Sequence, residues 1–226
     1  MSLAALAKRL RAAARPGAVL VVGLTGSVAA GKTTLARALV EALSPLSVET
    51  VSTDGFLLPN AVLAERGLSL RKGFPESYDV AGLSAALKAI RAGPATFPGY
   101  SHVTYDVDPA LARTLDAPDI LLLEGLGLAA HAGDLDLLVY LDAEEADLEA
   151  WFLDRFLVFW RAAEHDPTSF YAQFRTMDEP QAVQFARGVW AGVNLPNLRD
   201  HIVPLRETAG VVVAKDAQHR LRMVRG

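Results

Sequence analysis

The sequence predicts an α/β fold: a mostly parallel sheet with helices on both faces. Three observations predict it. Short apolar, β-branched runs alternate with segments whose leucines recur at helical spacing, the pattern of strand–helix–strand units. A glycine-rich turn joins the first such strand to the first such helix. Two later strands each end on an acidic residue followed by glycine, where open α/β sheets carry their ligands.

From the N-terminus, Ser2 to Arg15 is rich in Ala and Arg and lacks acids, as transit peptides do. Leu3, Leu6 and Leu10 fall at helical spacing, which favours a short docked helix within residues 1–16. Val19–Leu24 is the β-branched run of a buried strand. Beyond it, Leu35, Leu39 and Leu43 mark a helix that stops at Pro45. Val48–Thr53 reads as a strand ending at Asp54-Gly55, and Asp79–Arg91 as a helix closed by Gly93-Pro94. Thr96–Val107, aromatic and polar with a Pro98-Gly99 turn signal, fits a loop or a hairpin. Ile120–Leu123 and Leu135–Leu141 are apolar strands. Glu144–Ala163 and Pro180–Val193 are helical, and Val211–Ala214 is a last strand. No repeat, low-complexity tract or composition shift divides the chain. One domain over 1–226 is expected, with 144–195 as a helical lid on the substrate side.

Composition narrows the function. At 51% hydrophobic residues the 226-residue chain can bury a substantial core, and a net charge of −4 argues against a general polyanion binder, so no nucleic-acid partner is expected. Without cysteine there are no disulfides, thiolate metal sites or thiol nucleophiles. No apolar run approaches the ~20 residues that cross a bilayer, so a cytoplasmic protein without a membrane partner is expected.

Gly26-Ser27-Val28-Ala29-Ala30-Gly31-Lys32-Thr33 matches G-x-x-x-x-G-K-[ST] in the right place, between a strand and a helix. A chain this long meets that pattern by chance on the order of once in a hundred. Glycines let backbone N–H groups turn inward around a phosphate, and the helix N-terminus adds free donors. Lys32 would reach the β- and γ-phosphates of ATP; the Thr33 hydroxyl, with Thr34 beside it, would face Mg²⁺. This is the phosphate loop of a P-loop NTPase. Asp54 and Glu124 then supply what a kinase needs: one carboxylate to orient the attacking hydroxyl and accept its proton, another for the metal. Plainer readings exist, an Asx turn for Asp54 and a loop cap for Glu124. A nucleotide-dependent switch or motor is the other class, but the Asn-Lys-x-Asp motif of GTPases and the Leu-Ser-Gly-Gly signature of ABC ATPases are both absent.

The segments GSVAAGKTTLAR, STDGFLLPNAVLAERGL, RKGFPESYDV, YSHVTYDV, ILLLEGL, DRF and VNLPNLRDHIVPLRETA, in this order, resemble the bacterial type I pantothenate kinases, members of the phosphoribulokinase and uridine kinase branch of P-loop proteins. The resemblance runs from about Val19 to Leu221. It implies phosphorylation of pantothenate by ATP with Mg²⁺, a homodimer, and feedback inhibition by coenzyme A competing with ATP. It also implies roles residue by residue. Asp54 matches the hydroxyl-activating aspartate. Tyr100, His102 and Asn194 match pantothenate-binding positions, with Tyr105 in the same segment, and Arg155 matches an arginine near the transferred phosphoryl group. Lys215 and His219 match positions bordering the adenine, and Arg37 and Lys72 match basic residues near the phosphates. Phe156, Phe159 and Tyr171 belong to an aromatic group that is a core stripe by its spacing and an apolar pocket beside the substrate by resemblance. Read alone, Asn194 fits a helix C-cap and Arg155 a solvent ion pair with Glu149. The chain departs from the family at Phe152, where a tyrosine is usual, at Gly127, where an asparagine is usual, in a short stretch after Gly125, and in a single short helix in place of a long N-terminal extension. Lost donors at a site that hydrogen-bonds its substrate change selectivity, so another small hydroxyl acceptor, a nucleoside, sugar or sugar acid, is the alternative.

Overall fold

Every residue of strands β1 (Leu20–Gly26) and β5 (Ile120–Glu124) is buried, so helices must cover both faces of the sheet at its centre. The computed structural model describes residues 2–226. Its main sheet has six strands in the order β2-β5-β1-β6-β7-β8, with β2 at Val48–Ser52, β6 at Leu137–Asp142, β7 at Val211–Lys215 and β8 at Leu221–Arg225. All pairings are parallel except β7 with β8. A separate antiparallel hairpin is formed by β3 (Ala95–Ser101) and β4 (Asp106–Leu115), which settles the Thr96–Val107 segment as a hairpin longer than its sequence pattern implied.

Helix α1 (Ser2–Ala13) buries Leu6 and Leu10 against helix α2 (Lys32–Leu43) and β8. Helix α3 (Asn60–Glu65), unmarked in the sequence pattern, precedes α4 (Val80–Ala92), whose first turn is capped by Asp79 accepting from the Gly82 N–H. Helix α5 (Glu145–Ala162) packs on α6 (Glu179–Val189), and Phe156, Trp160, Ala182 and Ala186 form a small core between them.

The sequence pattern ends the last long helix at Val193. The structure instead carries it to Thr208, through α7 (Leu195–Asn197) and α8 (Val203–Thr208), with π-helical turns at Trp190–Asn194 and Leu198–Ile202. Each π turn stands just before a proline, Pro196 or Pro204. A residue without an N–H cannot continue α-helical hydrogen bonding, and the wider turn absorbs the mismatch. Asn194 therefore lies inside a continuous helical run and is not its C-cap.

Register positions the acids. Leu24 of β1 pairs with Glu124 of β5, and Glu124 pairs with Ser52 of β2. The phosphate loop leaving β1, Glu124 ending β5 and Asp54 just past β2 thus emerge side by side at one edge of the sheet.

Candidate active site

The turn after β1 carries positive φ at Ala29 (62°) and Gly31 (97°), and α2 begins at Lys32 with no side-chain cap, leaving its first N–H groups open. Lys32 is buried. Its Nζ folds back to donate to the carbonyls of Gly26 (3.1 Å) and Ser27 (2.9 Å). Burial pushes its pKa below the ordinary lysine value, while the charges of Glu124 and Asp54 oppose that shift. The Thr33 hydroxyl donates to Glu124 Oε1 at 2.8 Å.

Asp54 sits in a 3₁₀ turn, Thr53–Phe56, capped by Ser52, whose Oγ accepts from the Asp54 N–H at 3.2 Å. The β3–β4 hairpin lies directly on this turn: a Cβ at Gly55 would fall 2.2 Å from the Pro98 carbonyl oxygen. Only glycine permits that approach, and it brings Tyr100, His102 and Tyr105, at the hairpin tip, over Asp54. Lys72 donates to Asn60 Oδ1 (2.6 Å) and to the Tyr105 carbonyl, and its Nζ lies 5.1 and 4.5 Å from the ring centres of Tyr100 and Tyr105. Burial lowers its pKa to about 8, against the charges of Asp106 and Asp54. Burial likewise lowers His102 and raises Tyr100 and Tyr105, keeping the phenols neutral.

The facing wall comes from α5 and the segment after it. Arg155 points into the cleft over the Phe159 ring (5.5 Å), Phe159 stacks on Tyr171 (5.2 Å), and Phe156 backs both from the small core. Among the described residues no carboxylate reaches Arg155 within 4 Å; Glu149 lies near Arg187 instead. Asn194 completes this side. The enclosed space is about 560 Å³, in the range of small-molecule sites.

A model of the phosphoribulokinase/uridine kinase family matches residues 21–155, more than half of the chain. The chain belongs to the phosphoribulokinase/uridine kinase family. It is 43% identical over 219 residues to a protein named pantothenate kinase from Sorangium cellulosum, covering 90% of this chain and 71% of that one. A pantothenate kinase from Serratia proteamaculans is 40% identical over 224 residues, with coverage of 91% and 71%. Among solved structures, a proposed fructose transport system kinase from Silicibacter sp. TM1040 superposes with a TM-score of 0.73 at 27% identity, covering 92% of this chain and 95% of that one.

In this family member the cleft gathers most of the residues singled out from the sequence. Val28, Ala29, Gly31, Lys32, Thr33 and Thr34 line its phosphate end; Asp54, Glu124 and Arg155 its middle; Tyr100, His102, Tyr105, Phe156, Phe159, Tyr171 and Asn194 its far walls. Gly26, Ser27 and Ala30 form the buried inner side of the loop and do not line the cleft. Arg37 is exposed on α2, outside it. Lys215 and His219 also lie off the lining. Lys215 donates to the Ala30 carbonyl (2.7 Å) and stands 4.0 Å from the centre of the Trp151 ring, which lies against His219 at 4.8 Å. Sequence reasoning missed Trp151, Tyr78 and Asn197, which all line the cleft. Tyr78 and Asn197 lie within two of the family-like segments, RKGFPESYDV and VNLPNLRDHIVPLRETA, yet no local pattern marks either as a site residue. No helix among the described residues is long and apolar enough to cross a membrane.

Proposed function

We propose that this kinase-family chain transfers the γ-phosphoryl group of ATP to the hydroxyl of pantothenate, the first step toward coenzyme A. The observation that carries the reading is the convergence of the phosphate loop, Asp54 and Arg155 on one cleft, in a chain about 40% identical to proteins named pantothenate kinase. The donor set suits Mg²⁺ and a triphosphate. Among the described residues no cluster of three or more His, Cys, Asp or Glu could cage a metal. The hydroxyl–carboxylate pair Thr33–Glu124 beside open α2 N–H groups is instead what Mg²⁺ uses, since that ion keeps waters and takes phosphate oxygens. When bound there, Mg²⁺ would neutralise phosphate charge.

The chain's own groups do the rest. Lys32 exchanges the Gly26 and Ser27 carbonyls for the β- and γ-phosphate oxygens. Asp54 accepts a hydrogen bond from the acceptor hydroxyl, aligns its oxygen on the γ-phosphorus, and takes the proton as the new P–O bond forms and the bond to the β-phosphate bridging oxygen breaks. Because the transition state is loose, an ordinary carboxylate suffices. Arg155, free of carboxylates, stabilises charge on the transferring group. Tyr100, His102, Tyr105 and Asn194 hold the acceptor, and the aromatic wall of Phe156, Phe159 and Tyr171 excludes water.

The same reading carries a cytoplasmic location, a homodimer, and inhibition by coenzyme A competing at the nucleotide end, where Arg37, Lys215 and His219 are the residues to vary. A second acceptor class, a nucleoside, sugar or sugar acid, has Phe152 behind it: it lines the cleft without a hydroxyl. A coupled assay of ADP release with pantothenate, uridine, ribulose 5-phosphate and glycerate separates these readings. Turnover only with pantothenate is expected. Turnover with another member of the panel in its place overturns the acceptor, and ATP hydrolysis indifferent to all four overturns the kinase reading.

A further inference from the structure

Two polar side chains of the cleft are buried, each with a polar atom left unpaired, and neither is used in the reaction above. Tyr78 is 7% exposed; its hydroxyl stands beside that of Thr53, but the two make no well-formed hydrogen bond and neither has another partner. Asn197 is 4% exposed. Its Nδ2 donates to the Gly73 carbonyl at 2.9 Å, which fixes the orientation of the amide, and its Oδ1 is left buried with no donor. Buried polar atoms are nearly always paired, and those that are not call for an explanation.

Both side chains line the large cleft, and both also border a chamber of about 50 Å³ behind it, so they form its floor. They reach it from different elements, Tyr78 from the residue before the α4 cap and Asn197 from the C-terminal helical run. The position of Tyr78 depends on a glycine: a Cβ at Gly127 would fall 2.8 Å from the Tyr78 ring, so the ring lies against bare backbone. Burial holds the phenol well above its ordinary pKa, so it is a neutral O–H donor throughout the working range. The floor thus offers one donor and one fixed acceptor from two sides.

A carboxylate cannot satisfy the Asn197 oxygen. A group with a carbonyl on one edge and an N–H on the other satisfies both at once. Building on the pantothenate reading, we propose that Tyr78 and Asn197 are specificity residues that recognise a secondary amide in the acceptor, Asn197 Oδ1 accepting its N–H and the Tyr78 hydroxyl donating to its carbonyl. Gly127 is the position that leaves room for the Tyr78 ring.

The test compares pantothenate with its ester analogue, in which oxygen replaces the amide N–H. In the wild-type protein the ester should lose about ten- to a hundredfold in kcat/KM, because it leaves the Asn197 oxygen buried and unpaired. Tyr78→Phe should raise the KM for pantothenate about tenfold while leaving the KM for ATP and the thermal midpoint unchanged, since the hydroxyl makes no well-formed hydrogen bond within the protein. Equal turnover of amide and ester overturns the subsite and leaves the pantothenate reading standing. A Tyr78→Phe protein that unfolds at lower temperature, or that changes both KM values alike, also overturns it. If wild-type protein phosphorylates only acceptors lacking an amide, both inferences fall together.

Discussion

Gly125 follows Glu124 at the end of β5, with φ +154°, and its Cα faces the buried Thr53. A Cβ placed there would lie 1.7 Å from Thr53 Oγ1 and 2.8 Å from Thr53 Cβ. No rotamer of threonine removes both contacts, so Gly125→Ala must move the backbone of one strand end. Two costs add: overpacking of about 1–3 kcal/mol, and a non-glycine residue in a backbone region reserved for glycine, about 1–3 kcal/mol. The expected loss is roughly 2–6 kcal/mol, read as a lower urea midpoint at unchanged m value. Because Glu124 and Thr53 flank the contact, activity should fall too. Displacing Glu124 from its 2.8 Å bond to Thr33 disturbs the metal side of the site, and misplacements of about 1 Å cost up to about a hundredfold. A double-mutant cycle isolates the steric part. Thr53→Ala alone removes a buried hydroxyl and a buried methyl and should cost only about 1 kcal/mol. In the Gly125→Ala background it should recover about 1–2 kcal/mol, because the 1.7 Å contact goes while the 2.8 Å contact with Cβ of residue 53 and the φ cost remain. A Gly125→Ala protein with wild-type midpoint and turnover, or a cycle with no coupling, would refute the reasoning.

Asp54→Asn keeps the shape of the turn and removes the proton acceptor. Turnover should drop by about 10²–10⁴-fold while ATP titration by calorimetry shows affinity nearly intact, and unchanged turnover rules out the assigned role. Lys72 titrates at about 8 and faces the acceptor end, so kcat/KM for the acceptor should decline as pH rises through 8; Lys72→Arg should flatten that limb, and an identical profile in the variant excludes Lys72 as its source. The stability sign is opposite. Between pH 8 and the ordinary value of 10.5 the unfolded chain holds this proton and the folded chain does not, so the group's contribution to stability rises with pH in that window. Urea midpoints of Lys72→Met across the same range should lack that rise.

What the sequence makes legible is chemistry whose requirements are local. Gly26 through Thr33 announce a phosphate loop because backbone geometry and side-chain role fall within eight consecutive residues. Leu35, Leu39 and Leu43 mark α2 because one face of one helix is enough to show the period. Strand β8 escapes because it is a half-exposed edge without an apolar run, and α3 because six residues are too few to show a period. The long C-terminal helix reads as broken because Pro196 is a breaker in any local rule; two π turns make it a continuation, and only the packed structure reveals them.

The site divides along the same line. Asp54 and Glu124 are each visible as an acid ending a strand, but that they stand on the same side of the phosphate loop follows from the order β2-β5-β1, a matter of long-range pairing. Tyr78 and Asn197 have no local mark at all. A tyrosine before a helix and an asparagine within one are ordinary, and their interest arises only when folding buries the Tyr78 hydroxyl and the Asn197 oxygen without a partner. The selectivity of a kinase resides in such atoms, because the phosphate machinery treats every acceptor hydroxyl alike. Under the proposed amide recognition, Gly127, which touches no reacting atom, bears on the choice of acceptor by leaving room for the Tyr78 ring. Gly127→Asn would press a side chain on the Tyr78 ring and should therefore raise the KM for the acceptor while leaving the KM for ATP unchanged; equal KM values in variant and wild type exclude the position.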